Sequence, residues 1–142
     1  MYRDAVLIKE TVYGKALEMD NKIRVMLADD HRVVRQGLSA LIEGQSDMEI
    51  VGEAADGVEA VSLARKCSPD VILMDINMPK MNGLEATRII SAELPQTRII
   101  GLSINDDPET IAAMQAAGAA NHVGKDCGSR TLLTVIRNAA AA

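Results

Sequence analysis

Val71-Ile72-Leu73-Met74-Asp75-Ile76-Asn77-Met78-Pro79-Lys80-Met81-Asn82-Gly83 is an apolar run that ends on an acid and turns at once. The run reads as a strand, and the carboxylate at its end is costly to bury. In open α/β sheets ligands bind outside the carboxyl ends of strands, so Asp75 is well placed to react. Polar groups end three other such runs. Asp29 and Asp30 follow Ile23-Arg24-Val25-Met26-Leu27-Ala28, Ser103 follows Arg98-Ile99-Ile100-Gly101-Leu102, and Lys125 follows Asn121-His122-Val123-Gly124.

Outward from this stretch, short β-rich runs near 23–28, 48–54, 71–75, 97–102 and 120–123 alternate with amphipathic helical stretches. That alternation predicts a parallel sheet covered by helices, an α/β fold. Val34, Leu38, Leu41 and Ile42 line the first helix, and Val58, Val61 and Ala64 the second. Leu84 and Ile89 lie together on the third, with Arg88 at the edge of that face. Helices near 107–117 and 129–139 are Ala-rich, with Ile111, Met114, Leu132, Val135 and Ile136 as their larger apolar residues. Asp107-Pro108 supplies an N-cap and a Pro at N1, and Gly118 a stop. Residues 1–22 stand outside the alternation and read as an N-terminal helix or linker extension, with 23–142 as the domain.

A chain of 142 residues is one domain by length, and 48% hydrophobic with 25% charged residues reads as a soluble globular protein. With no Phe, no Trp and two Tyr, the core must be aliphatic. A net charge of −5 without a Lys/Arg cluster argues against direct nucleic-acid binding. Cys67 and Cys127 show no metal spacing and read as reduced thiols. No stretch approaches the roughly 20 apolar residues of a membrane span, and no signal-peptide core is present, so the cytoplasm is the expected location.

The strand-end residues suit phosphoryl chemistry on Asp75. Phosphoryl transfer has a largely dissociative transition state, so positioning and charge neutralisation supply most of the catalysis. Asp29 and Asp30 beside Asp75 would crowd three negative charges, which calls for a hard divalent cation. Mg²⁺ (or Mn²⁺) takes oxygen ligands, and the main-chain carbonyl of Asn77 can join the carboxylates. Lys125 can pair with Asp75 or with a phosphate oxygen, and Ser103 can donate to another. Each has a bland reading: Asp29-Asp30 as a helix cap, Ser103 as a loop hydroxyl, Lys125 as a solvated charge. Their order along one chain favours the site. His31 reads as an exposed residue at a helix start and not a metal ligand, and Met78, Met81 and Met114 as gap filling.

Asp29-Asp30-His31, the Asp-x-x-Met-Pro-x-Met-x-Gly run from Asp75 to Gly83, Ser103 in Ile-Gly-Leu-Ser, Gly118-Ala119 and Lys125 resemble a response regulator receiver domain of two-component signalling. The resemblance covers about residues 23–138. It implies a flavodoxin-like (βα)5 sandwich with a parallel five-stranded sheet in the order 2-1-3-4-5. It further implies Mg²⁺ at Asp29, Asp30, Asp75 and the Asn77 carbonyl, and phosphoryl transfer to Asp75 from a histidine of a sensor kinase or phosphotransfer protein. Ser103 and His122 would respond to the phosphate and switch the surface of the fourth helix, fifth strand and fifth helix. A homodimer on phosphorylation is an expected partner. The Asp-Asp-His start resembles the subfamily that usually carries a C-terminal helix-turn-helix, which this sequence does not encode.

Some positions depart from the family pattern. His122 stands where Tyr or Phe is common, and a histidine can gain charge near neutral pH. Asp126 stands where Pro often follows the lysine; a cis bond there would cost about 2.5–4 kcal/mol, so a trans bond or a well-braced exception is expected. Ile104 is bulky where a small residue is usual, which predicts slow dephosphorylation, tuned also by Asn77 and Asn105. Two alternatives remain: a haloacid-dehalogenase-like phosphatase, whose second acid would fall at position 77, and an interaction module that is not phosphorylated. In the leading reading the chain is a signalling module taking part in its own phosphorylation, not an enzyme.

Overall fold

The computed structural model describes residues 21–104 and 107–142. Five βα units follow one another: β1 (Ile23–Ala28), α1 (Arg32–Glu43), β2 (Met48–Ala54), α2 (Gly57–Cys67), β3 (Val71–Asp75), α3 (Gly83–Glu93), β4 (Arg98–Ser103), α4 (Pro108–Ala117), β5 (Asn121–Gly124) and α5 (Ser129–Ala141). Every strand pair is parallel, and the order is β2-β1-β3-β4-β5. The flavodoxin-like topology expected from the resemblance is the one observed.

Side chains alternate across the sheet because a strand has a period of two. Met26, Ala28, Ile72 and Met74 pack with Ala60, Val61 and Ala64 of α2, Ala86 and Ile90 of α3 and Met114 of α4. Val25, Leu27, Val71 and Leu73 pack on the opposite face with Ile42 of α1 and Leu132, Leu133 and Ile136 of α5. All five residues of β3 are buried, as a central strand covered on both faces must be. Met78 and Met114 are buried and Met81 packs beside them, which fits their gap-filling reading.

The signals read at the two ends of α4 act as anticipated. Asp107 caps α4 with Pro108 at N1, and Gly118, at φ 118°, ends it in the left-handed region. Asp56 and Asn82 accept the amides of Glu59 and Glu85 at the starts of α2 and α3. Three details differ. Val58 is 51% exposed, because the buried residues of α2 are 57, 60, 61 and 64, and Val58 lies about 100° around the helix from Gly57. The last two strands start one residue later than read, since Thr97 belongs to the preceding turn, where its hydroxyl donates to the Pro69 carbonyl at 2.7 Å. α5 runs on to Ala141.

Among the described residues there is no cis peptide, so the Lys125–Asp126 bond is trans, and no helix is long and apolar enough to cross a membrane. Cys67 and Cys127 are free thiols. The readings of residues 1–20 and Asn105 fall outside the described residues.

Candidate functional site

Parallel strands in near register end along one edge, and that edge gathers the predicted residues. Ala28 pairs with Met74, Asp75 with Leu102 and Ser103 with Gly124, so Asp29, Asp75, Ser103 and Lys125 emerge side by side. Asp29 and Asp75 are each 1% exposed. The Lys125 ammonium bridges them, with Nζ 2.9 Å from Asp29 Oδ2 and 3.1 Å from Asp75 Oδ2. The other Asp75 oxygen, Oδ1, accepts the Asn77 amide at 3.2 Å. Asp30 is more open, and its carboxylate joins those of Asp29 and Asp75 within a cluster whose nearest ligand atoms lie within 4.8 Å of one another.

The electrostatics follow from this crowding. Burial pushes the Asp75 carboxyl pKa up, the Asp29 charge adds to that, and contact with Lys125 works against it without cancelling it. Burial pulls the Lys125 pKa down, but its contacts with Asp29 and Asp75 outweigh this and leave it raised. Among the described residues, the Asp29 and Asp75 carboxylates therefore share one lysine ammonium, with the Asp30 carboxylate beside them. Two of their oxygens, Asp29 Oδ2 and Asp75 Oδ2, are buried with no aligned hydrogen-bond donor and rely on that ion pair. A hard divalent cation fits such a donor set.

The loop after Asp75 is held by close backbone contacts. The Gly83 amide donates to the Ile76 carbonyl at 2.8 Å, and a Cβ on Gly83 would overlap the Asp75 carbonyl. On the other side a Cβ on Gly57 would overlap the Met81 carbonyl, so α2 and the loop touch backbone to backbone. Lys80, at φ 69°, reaches Asp56 at 3.5 Å.

Ser103 and His122 meet directly: Ser103 Oγ lies 2.8 Å from His122 Nε2. Gly101 makes room for the imidazole, since a Cβ there would sit 2.6 Å from His122 Nδ1 and 3.0 Å from the Met114 methyl. Ile104, next to Ser103, is 70% exposed. The sequence reading placed these residues near the site and did not foresee their mutual contact.

One residue was missed, and another was read without its contacts. Arg35 Nη1 donates to the Asp29 carbonyl at 2.6 Å while its Nε donates to Glu53 Oε1 at 3.2 Å, which ties the acidic loop to α1 and β2. Its position four residues after His31, one helical turn along α1, was the available signal. His31 is an exposed residue at the start of α1, as read, but its ring turns back toward the acids.

This fold with this site defines a class. The sequence profile of the response regulator receiver domain matches residues 25–137, and the chain belongs to that family, the receiver domains of two-component systems. Among its relatives, the transcriptional regulatory protein LiaR of Bacillus subtilis is 45% identical over 117 residues, 82% of this chain and 56% of its own length. The oxygen regulatory protein NreC of Staphylococcus aureus is 41% identical over 116 residues, 81% of this chain and 54% of that protein. The chain thus spans about half the length of the curated relatives it matches. Among solved structures, the receiver domain of a NarL response regulator from Mycobacterium tuberculosis superposes with a TM-score of 0.82 at 32% identity, covering 86% of this chain and 98% of that one. The response regulator domain of Thermotoga maritima CheB gives 0.79 at 36% identity, covering 85% and 98%.

Proposed function

We propose that Asp75 accepts a phosphoryl group from a histidine of a sensor kinase or phosphotransfer protein, and that the change at Asp75 alters the surface of α4, β5 and α5. The observation that carries this reading is the buried Asp75 carboxylate beside Asp29, with Lys125 Nζ between them at the strand ends. In the transfer the P–N bond to the donor imidazole breaks and a P–O bond to Asp75 forms. Mg²⁺ or Mn²⁺ at Asp29, Asp30, Asp75 and the Asn77 carbonyl would supply charge neutralisation on the phosphoryl oxygens. The Asn77 amide orients the acceptor carboxylate, and Lys125 shifts from Asp75 Oδ2 to a phosphoryl oxygen. Val33, Val58 and Ile104, 80%, 51% and 70% exposed, offer apolar contact to a protein donor from the loop and helix starts around the acceptor.

The readout runs through Ser103. Its hydroxyl leaves His122 Nε2 for the phosphate, and the imidazole, no longer held at 2.8 Å, moves outward beside α4 and β5. Ile104, Asn77 and Asn105 set how fast water removes the phosphate. The receiver domain spans 23–142 with 1–22 as an extension. The chain acts as a signalling module in a regulator of transcription, the role carried by the names of its relatives.

Incubation with acetyl phosphate and Mg²⁺ tests the reading. It expects a base-labile adduct that is absent in Asp75→Asn. Steady turnover of phosphate esters would instead support the phosphatase, and no adduct with any donor, a cognate kinase included, would support the interaction module.

A further inference from the structure

The imidazole of His31 sits among the acids rather than serving its helix. His31 holds the N-cap position of α1, with φ −88° and ψ 105°, yet its side chain makes no capping hydrogen bond. Its Nδ1 lies 3.1 Å from Asp29 Oδ1, 3.2 Å from Asp30 Oδ1 and 4.0 Å from Asp75 Oδ2. In an octahedral ion with bonds of about 2.1 Å, neighbouring ligands lie about 3.0 Å apart and opposite ones about 4.2 Å apart. The three distances are close to two edges and one diagonal of such a polyhedron, with the imidazole nitrogen at a corner. The 3.1 Å to Asp29 Oδ1 is also a hydrogen bond, and the ligand atoms of the cluster spread over up to 4.8 Å, so ligation would draw the acids together.

We propose that His31 Nδ1 is itself a ligand of the cation in this site, making it a mixed oxygen–nitrogen centre that favours Mn²⁺ and later first-row ions such as Ni²⁺ over Mg²⁺. The inference rests on the proposed reading that Asp29, Asp30 and Asp75 hold a divalent cation. For ligation the neutral ring carries its proton on Nε2, which leaves the Nδ1 lone pair for the metal. Carboxylate and water suit Mg²⁺ and Mn²⁺, whereas imidazole raises affinity chiefly for the softer transition ions. The ring is 55% exposed, so an ion arriving from solvent meets the imidazole before the buried carboxylates. The consequence is a site whose occupant depends on which divalent ions are available, not on Mg²⁺ alone.

Pulsed electron paramagnetic resonance of the Mn²⁺-loaded protein tests this without any phosphorylation assay. A ¹⁴N coupling is expected that changes to ¹⁵N when the protein is labelled with ¹⁵N-histidine. The coupling disappears in His31→Ala and persists in His122→Ala, these being the two histidines of the chain. Calorimetric titrations of His31→Ala should lower the preference for Ni²⁺ over Mg²⁺ by at least about tenfold, the lower end of what losing even an outer partner of a metal site costs. Mn²⁺ bound through Asp30, as shown by weakening in Asp30→Asn, with no histidine nitrogen coupling in the unaltered protein, would overturn the role of His31 and leave the cation site standing. Absence of bound Mn²⁺ would overturn both.

Discussion

Replacing Lys125 by Met should show how strongly one ammonium holds this site together. Nζ lies 2.9 Å and 3.1 Å from two carboxylates that are each 1% exposed. At an effective dielectric constant of about 20, each attraction is about 5–6 kcal/mol, and the Asp29–Asp75 repulsion across at most 4.8 Å is at least about 3.5 kcal/mol. Lys125→Met removes both attractions and leaves the repulsion. The net loss is smaller than the gross terms, because a carboxylate can take up a proton and the lysine no longer has to be desolvated. Removing one partner of a buried pair typically costs about 3–5 kcal/mol, about a fifth or more of the stability of an ordinary domain. With a urea slope of about 1–3 kcal/mol/M, the midpoint should fall by about 2 M. Far-ultraviolet circular dichroism in chelator-treated buffer can follow this. Asp75→Asn in the same background should reduce the loss by about 1–3 kcal/mol, and Mg²⁺ should recover part of it by taking the place of the ammonium. A loss under about 1 kcal/mol, or one that neither Asp75→Asn nor Mg²⁺ diminishes, would refute the view that Lys125 is the main counter-charge.

Further outcomes follow from single contacts. The Asp75 carboxyl has a pKa raised above its ordinary 3.8, so its ionised form opposes folding. Metal-free protein should therefore lose stability as pH rises from about that ordinary value through the raised one, and Asp75→Asn should not; matched urea curves whose difference does not change with pH would refute this. Gly101→Ala would place a methyl 2.6 Å from His122 Nδ1, so it should expel the ring and break its bond to Ser103. The check is a changed His122 Cε1–H nuclear magnetic resonance, with a stability loss of about 1–3 kcal/mol. Ile104→Ala should speed phosphate loss from Asp75 if the exposed isoleucine shields it, and an unchanged rate removes that role.

The backbone was more legible than the side-chain directions. Asp29, Asp75, Ser103 and Lys125 could be brought together from sequence because each terminates an apolar run, and parallel strands end at one edge. The same logic carried the N-cap of Asp107 and the stop at Gly118. Val58 misled because it is apolar near a helical face yet lies about 100° from Gly57 on that helix. The turn of His31 toward the acids depends on a rotamer, which strand and helix periodicity does not encode. Arg35 was passed over because an arginine on a polar helix face ordinarily reads as solvated, whereas here it holds a loop carbonyl.

The wholly aliphatic core has an optical consequence. Tyr2 and Tyr13 are the only Phe, Trp or Tyr residues of the chain, and both fall outside the described residues. The folded body from Ile23 to Ala141 therefore has no intrinsic fluorophore. A single tryptophan introduced at the exposed Ile104, next to Ser103, and excited at wavelengths the two tyrosines do not absorb, would report from the edge of the site.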